Sequence, residues 1–186
     1  MQRVRMLAYG LTVLVCVWSI GSIAARAQVK SQDPRVSLMD TCDPNTFPAG
    51  LCAVLARPGD TTFTEFLGLL FSPLSPTVIG HPAWRFEPSY LDVRQRQTLR
   101  VTNNGGEGHT FTEVAHFGGG TVPLLNGVNG PAGTTPLIPA PECPATQAGL
   151  AVLAPGDTVA IKLAAGAHNF QCCIHPWMRA VIDVGE

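Results

Sequence analysis

From Trp84 onward, apolar and polar positions alternate in short runs. Leu91-Asp92-Val93, Thr98-Leu99-Arg100-Val101 and Thr158-Val159-Ala160-Ile161-Lys162-Leu163 follow a period of two, and the closing Ala180-Val181-Ile182-Asp183-Val184 follows it less strictly. In an extended chain successive side chains point to opposite faces, so each run describes a strand with one face toward a core. Turn-forming stretches separate the runs, among them Asn103-Asn104-Gly105-Gly106 and Pro155-Gly156-Asp157. Short strands with turns at this spacing predict an antiparallel sandwich or barrel of about 100 residues, with Trp84 and Phe86 in its core.

Residues 28–82 read differently. Thr62-Phe63-Thr64-Glu65 has the form of a capping box, with Thr at the N-cap and Glu three positions later. Phe63, Phe66, Leu67, Leu70 and Phe71 then fall on one helical stripe, and Pro73 and Pro76 stop the helix. Such a stripe must be buried, most simply against the strands that follow. Cys42 and Cys52 are expected to close a small disulfide loop. The stretch is too short for a core of its own and is read as an N-terminal extension of a domain spanning 83–186. Residues 118–148 form a long Gly/Pro-rich excursion, which in a compact domain is either functional or tied down. Cys143 suggests tying down.

The first 27 residues change the compartment. Arg3 and Arg5 precede an uncharged stretch from Met6 to Ala25, and Ala25-Arg26-Ala27 has the form of a cleavage site. A signal peptide over 1–27 is expected, and with it a periplasmic or secreted protein. The alternative is a retained N-terminal anchor, since the uncharged stretch is long enough to span a bilayer; cleavage would leave no stable membrane anchor. Cysteines in an exported chain are expected to pair. The 186 residues carry a formal charge of −1, which becomes −4 once Arg3, Arg5 and Arg26 are removed. A mildly acidic chain without a Lys/Arg cluster is a poor nucleic-acid binder. Charged residues are only 13% and hydrophobic ones 46%, with 19 Gly and 16 Pro, a mix that suits short strands and turns.

The chemistry concentrates in Gln171-Cys172-Cys173-Ile174-His175-Pro176-Trp177-Met178. Cys172, His175 and Met178 are spaced C-x2-H-x2-M, between a strand-like Ala167-His168-Asn169-Phe170 and the last strand. A tight loop there can aim all three at one point. His109, in Gly108-His109-Thr110-Phe111-Thr112 just after the Asn/Gly turn, offers a fourth ligand. Two His, one Cys thiolate and a weak Met make up the donor set of a type 1 copper site. Thiolate and thioether favour Cu(I), while imidazole accepts both oxidation states. Met178 argues against a structural zinc site, and the order C-C-I-H excludes the C-x-x-C-H of a c-type haem.

On these residues the chain from about Phe86 to Val184 resembles the cupredoxins, the small blue-copper proteins. The run Phe170 to Arg179 is similar to an amicyanin-type ligand loop, and Asn103-Asn104-x4-His109 is similar to the plastocyanin pattern around the first histidine. The resemblance implies an all-β, cupredoxin-like Greek-key sandwich, here with a short N-terminal helical extension. It implies one type 1 copper ion held by His109, Cys172, His175 and Met178. It also implies that His175 lies near the surface as the electron exit. Separately, an apolar patch formed by Trp177 around His175 would let a redox partner protein dock near both residues, on a monomer. For Trp177 a core position is equally open.

Alternation along the strand points Cys173 away from Cys172, and only Cys172 gives the resembled spacing. With Cys172 on the metal and Cys42 paired to Cys52, Cys143 and Cys173 are the two left over, which favours a disulfide between them. A free Cys173 thiol near Thr110, or a vicinal disulfide with Cys172, are the other possibilities. His81, His116 and His168 are not needed by the site; His168 is expected to be packed and hydrogen-bonded, and His116 exposed. No Ser/His/Asp order or carboxylate pair supports an enzyme, and five histidines spread this way cannot supply a multicopper centre. The expected function is single-electron transfer. A copper carrier or storage module without redox cycling, and a metal-free structural domain, are the alternatives.

Overall fold

The computed structural model describes residues 33–70, 81–126 and 136–185. The expected signal segment and Phe71 lie outside them. Eight strands dominate: β1 (Arg35–Asp40), β2 (Trp84–Glu87), β3 (Tyr90–Arg94), β4 (Leu99–Asn103), β5 (Thr112–Val114), β6 (Thr158–Ile161), β7 (Gly166–Gln171) and β8 (Arg179–Gly185). They form two four-stranded sheets, ordered β2-β1-β4-β6 and β3-β8-β7-β5. Only the β1–β2 and β7–β8 connections stay within one sheet; every other link crosses to the opposite sheet. Of the sandwich and the barrel that the alternation allows, the fold is the sandwich, as the resemblance implies. Its pairing is not purely antiparallel, because β1 runs parallel to β4 and β3 parallel to β8. Both parallel pairs join strands distant in sequence, as parallel pairing requires.

The inner faces carry the alternating apolar residues. Val36 and Leu38 of β1, Trp84 and Phe86 of β2, and Leu99 and Val101 of β4 are buried on one side. Val93, Phe170, Ala180, Ile182 and Val184 are buried on the other. Burying each large side chain contributes roughly 1.5–3 kcal/mol. Phe111 stacks on Phe170 with ring centroids 4.1 Å apart and bridges toward Phe86 at 5.1 Å. β6 departs from the expectation: it is an edge strand, and its alternating Val159 is exposed.

β1 belongs to the stretch read as an extension, yet it sits between β2 and β4, so part of that stretch is built into the sandwich. The helix α1 (Phe63–Leu70) forms where the capping box predicts. Thr62 N donates to Glu65 Oε2 at 2.8 Å, and Glu65 N donates back to Thr62 Oγ1 at 3.2 Å. Phe66 and Leu70 are buried, and Phe66 packs on Phe47 and Trp84 with ring centroids 5.5 and 5.0 Å away. Leu67, on the margin of the stripe, remains exposed. Among the described residues, no helix is long and apolar enough to cross a membrane.

Candidate metal centre

The hairpin between β7 and β8 makes the centre. Its ladder ends at the pair Gln171 and Arg179. Cys172 to Met178 then form a seven-residue loop closed at its base, where Cys172 N donates to Met178 O at 3.0 Å. A second turn inside it is closed by Met178 N donating to His175 O at 2.9 Å. The two nested turns bring the Cys172 and His175 side chains together on one side. Arg179 locks the loop from behind, its Nε donating to Pro176 O at 2.8 Å and its guanidinium lying over Phe117. Burial holds Arg179 down to about 10, which still leaves it charged at neutral pH.

His109 comes from the opposite side, held by paired backbone bonds with Leu153. The nitrogen and sulfur atoms of His109, Cys172 and His175 all lie within 4.8 Å of one another. His175 Nδ1 is 3.3 Å from His109 Nδ1, and Cys172 Sγ is 3.9 Å from His109 Nδ1. Cys172 and Met178 are fully buried, and neither histidine is more than 4% exposed. Met178 follows directly across the loop base from Cys172. Two backbone N–H groups, of Thr110 and His175, point at Cys172 Sγ from 3.4 Å each. Burial pushes the Cys172 thiol up, but hydrogen bonds and charge from His109 and His175 outweigh this and hold it well below its ordinary value. The arrangement favours a thiolate.

Cys173 faces the other way, as alternation predicts, and pairs with Cys143; Cys42 pairs with Cys52. Among the described residues Cys172 is the free cysteine. Cys143, Cys173, Val114 and Ala140 form a small second core, which anchors the long loop beside the centre. Gln171 completes the anchoring, accepting from Gly118 N at 2.9 Å and donating to Gly119 O at 3.1 Å. Thr110 lies between the two cysteines, its N–H toward Cys172 and its Oγ1 accepting from Cys173 N at 2.7 Å.

His175 is not at the surface. The rings of Trp177, Phe66 and Trp84 surround it at 5.4, 6.2 and 6.5 Å. Trp177 is itself buried, which selects the core position over an exposed patch. The reason is α1: the extension lays Phe66 over the histidine. A cleft of about 440 Å³ reaches His175 from one side, lined by Leu51, Phe66, Leu125, Val152 and Glu107 among others. Of the remaining histidines, His116 is exposed and His81 Nδ1 accepts from Ala83 N at 3.1 Å. His168 bonds Glu113 Oε1 at 2.6 Å and Ala164 O at 3.0 Å, toward the start of β7 and not at the cluster.

Two carboxylates escaped the sequence reading. Asp40, at the end of β1, lies 2.8 Å from His109 Nε2, and Glu107 lies 3.4 Å from His175 Nε2. An ionised carboxylate only accepts, so the His109 ring donates from Nε2. Burial pulls His109 down, but Asp40 and Cys172 more than compensate and raise it to about 9. Burial raises Asp40, and the His109 bond together with backbone N–H groups brings it below the usual value. The signal for Asp40 was a charge at the third inward position of Val36-x-Leu38-x-Asp40, where a core residue belongs. Gly105 and Gly106 make this contact possible. A Cβ at 105 would lie 1.9 Å from Asp40 Oδ2, and one at 106 would lie 2.7 Å from Cys42 Sγ. The turn read as a plain strand connection is where the extension, its disulfide and Asp40 press against the His109 loop.

No protein-family model and no curated protein matches the chain. Among solved structures, a purple cupredoxin from Nitrosopumilus maritimus is 18% identical, with a TM-score of 0.36, covering 62% of this chain and 95% of its own. An oxidised amicyanin variant is 12% identical, with a TM-score of 0.36, covering 85% of this chain and 87% of its own. A Cu-containing nitrite reductase from Thermus scotoductus is 19% identical, with a TM-score of 0.34, and the match spans 55% of this chain but 20% of that enzyme. The functional reading rests on the side chains of the centre and not on these overlaps.

Proposed function

We propose that the protein is an exported, single-copper electron-transfer protein. The observation that carries this is the free, fully buried Cys172 clustered with His109 and His175 in a chain whose other described cysteines are paired. A buried thiolate needs compensation, and two imidazoles beside it offer neutral donors for a soft ion. His109, Cys172 and His175 would hold copper, with Met178 as the weak fourth ligand. When bound, the ion would take or give one electron by moving between Cu(II) and Cu(I).

The chain's own contribution is rigidity and dryness. The N–H groups of Thr110 and His175 stabilise the thiolate charge without reorganising. The closed loop base and the Cys143–Cys173 staple keep the donors in place in either oxidation state. Burial excludes water that would otherwise solvate the charge change. His175 borders the cleft, so a redox partner protein would approach there, over the apolar side chains of Leu51 and Val152. Export agrees with two disulfides, which persist in an oxidising compartment. A carrier of electrons, in place of an enzyme, agrees with a site whose ligands are all buried side chains.

Copper-loaded wild type, Cys172→Ser and Cys173→Ser proteins test the reading by absorption spectroscopy. Wild type and Cys173→Ser are expected to show an intense thiolate-to-Cu(II) band with reversible voltammetry, and Cys172→Ser to lack the band. A colourless wild type that binds Cu(I) and surrenders it to a chelator would instead establish a copper carrier. Loss of the band in Cys173→Ser with retention in Cys172→Ser would overturn the ligand assignment.

A further inference from the structure

Each clustered histidine carries a buried carboxylate on the ring nitrogen that faces away from the cluster. Asp40 Oδ2 accepts from His109 Nε2 at 2.8 Å, with both side chains fully buried. Glu107 Oε2 lies 3.4 Å from His175 Nε2, and Trp84 Nε1 holds it there by donating at 2.7 Å. Asp40 is equally fixed. Its Oδ1 accepts from Gly106 N at 3.0 Å and Cys42 N at 3.3 Å, and its Oδ2 accepts from Glu107 N at 3.0 Å. The two Nδ1 atoms, 3.3 Å apart, are left facing the thiol side.

We propose that Asp40 and Glu107 are paired positioning residues that bias the centre toward the more highly charged copper ion. This rests on the copper reading above. Each carboxylate fixes which nitrogen carries the proton, turns Nδ1 toward Cys172, and raises the donor strength of its ring. Each also adds a negative charge close to the centre, Asp40 fully shielded from water, where charge acts over longer range, and Glu107 at the edge of the cleft. Both effects stabilise Cu(II) more than Cu(I) and so lower the reduction potential. The pair comes from two origins, Asp40 from β1 and Glu107 from the turn before His109, and Gly105 and Gly106 let them meet.

Glu107→Gln is the cleaner probe, since an amide oxygen can still accept from Trp84 and lie beside His175 Nε2 without the charge. The copper-loaded variant is expected to keep its thiolate band. Its Cu(II)-to-Cu(I) affinity ratio should fall by about tenfold, which raises a one-electron potential by ~59 mV. Asp40→Asn should shift the ratio in the same direction and further. An intact band with a ratio unchanged to within about twofold in Glu107→Gln, or shifted the other way, would overturn the proposal. If Asp40→Asn does not fold, nuclear magnetic resonance of the wild-type Cu(I) form supplies the second measurement. Protons on Nε2 of both histidines, slow to exchange with solvent, are expected, and protons on Nδ1 would overturn it. A wild type that takes up no copper removes the copper reading and this inference together; copper uptake with an unmoved potential removes this inference alone.

Discussion

His168 shows how a single side chain can look like a ligand and be something else. It shares the alternation of Phe170 and Cys172 on β7, but its ring spans Glu113 and Ala164 O. Only the imidazolium can donate to both acceptors at once. The Glu113 hydrogen bond, opposed by partial burial and aided by Ala164 O, raises its value above the ordinary 6.5. A group whose folded value is raised contributes stability in full below the unfolded value, and loses it as pH climbs through the folded one. His168→Gln should therefore cost stability at pH 5.5 and little at pH 9. Urea midpoints at the two pH values check this, and an equal deficit at both would contradict it. At the cluster, residue-level chemistry was legible because Cys172, His175 and Met178 lie in one short loop. Asp40 was not, since nothing local says what an inward carboxylate at the end of a strand will meet.

At the scale of elements, α1 decides the surroundings of His175. Its capping box and apolar stripe are local and readable, and they determine that a helix forms and which face it buries. They do not determine the target. Phe66 is inserted between Phe47, Trp84 and His175. Phe66→Ala should remove roughly 3–5 kcal/mol of stability, as truncations of buried phenylalanines do. It should also open the cleft onto His175, so that a small, water-soluble reductant reduces the copper-loaded variant faster than the wild type. Stopped-flow reduction monitored at the thiolate band checks this. An unchanged rate beside lowered stability would make α1 a packing element with no part in access.

At the scale of the whole molecule, the Cys143–Cys173 disulfide joins the long loop to the ligand hairpin across 30 residues of sequence. Closing a loop of that length constrains the unfolded chain by roughly 3–4 kcal/mol. A Cys143→Ser/Cys173→Ser double variant should lose about that much in chemical denaturation. It should keep the thiolate band, because Gln171 and Thr110 still hold the loop and Cys172 faces the opposite side. A double variant as stable as the wild type would show that the staple orders the loop without stabilising the fold.

Strand alternation, turn residues, the capping box and the C-x2-H-x2-M loop act over a few positions, so the sequence alone determined a fold of short strands, a helix beginning at Phe63 and the nearness of Cys172 to His175. Alternation also separated Cys172 from Cys173, because neighbours in a strand must face opposite ways. Counting cysteines favoured Cys143 for Cys173, but proximity in space made that pair. Only the tertiary structure placed β1 between β2 and β4, put Asp40 behind His109 at a sequence distance of 69, and covered His175 with Phe66. Periodicity states which face of a strand is inward and is silent on which strand lies beside it. The partner of a buried carboxylate or ring is set by that neighbour, and the neighbour is chosen by the packing of the whole chain.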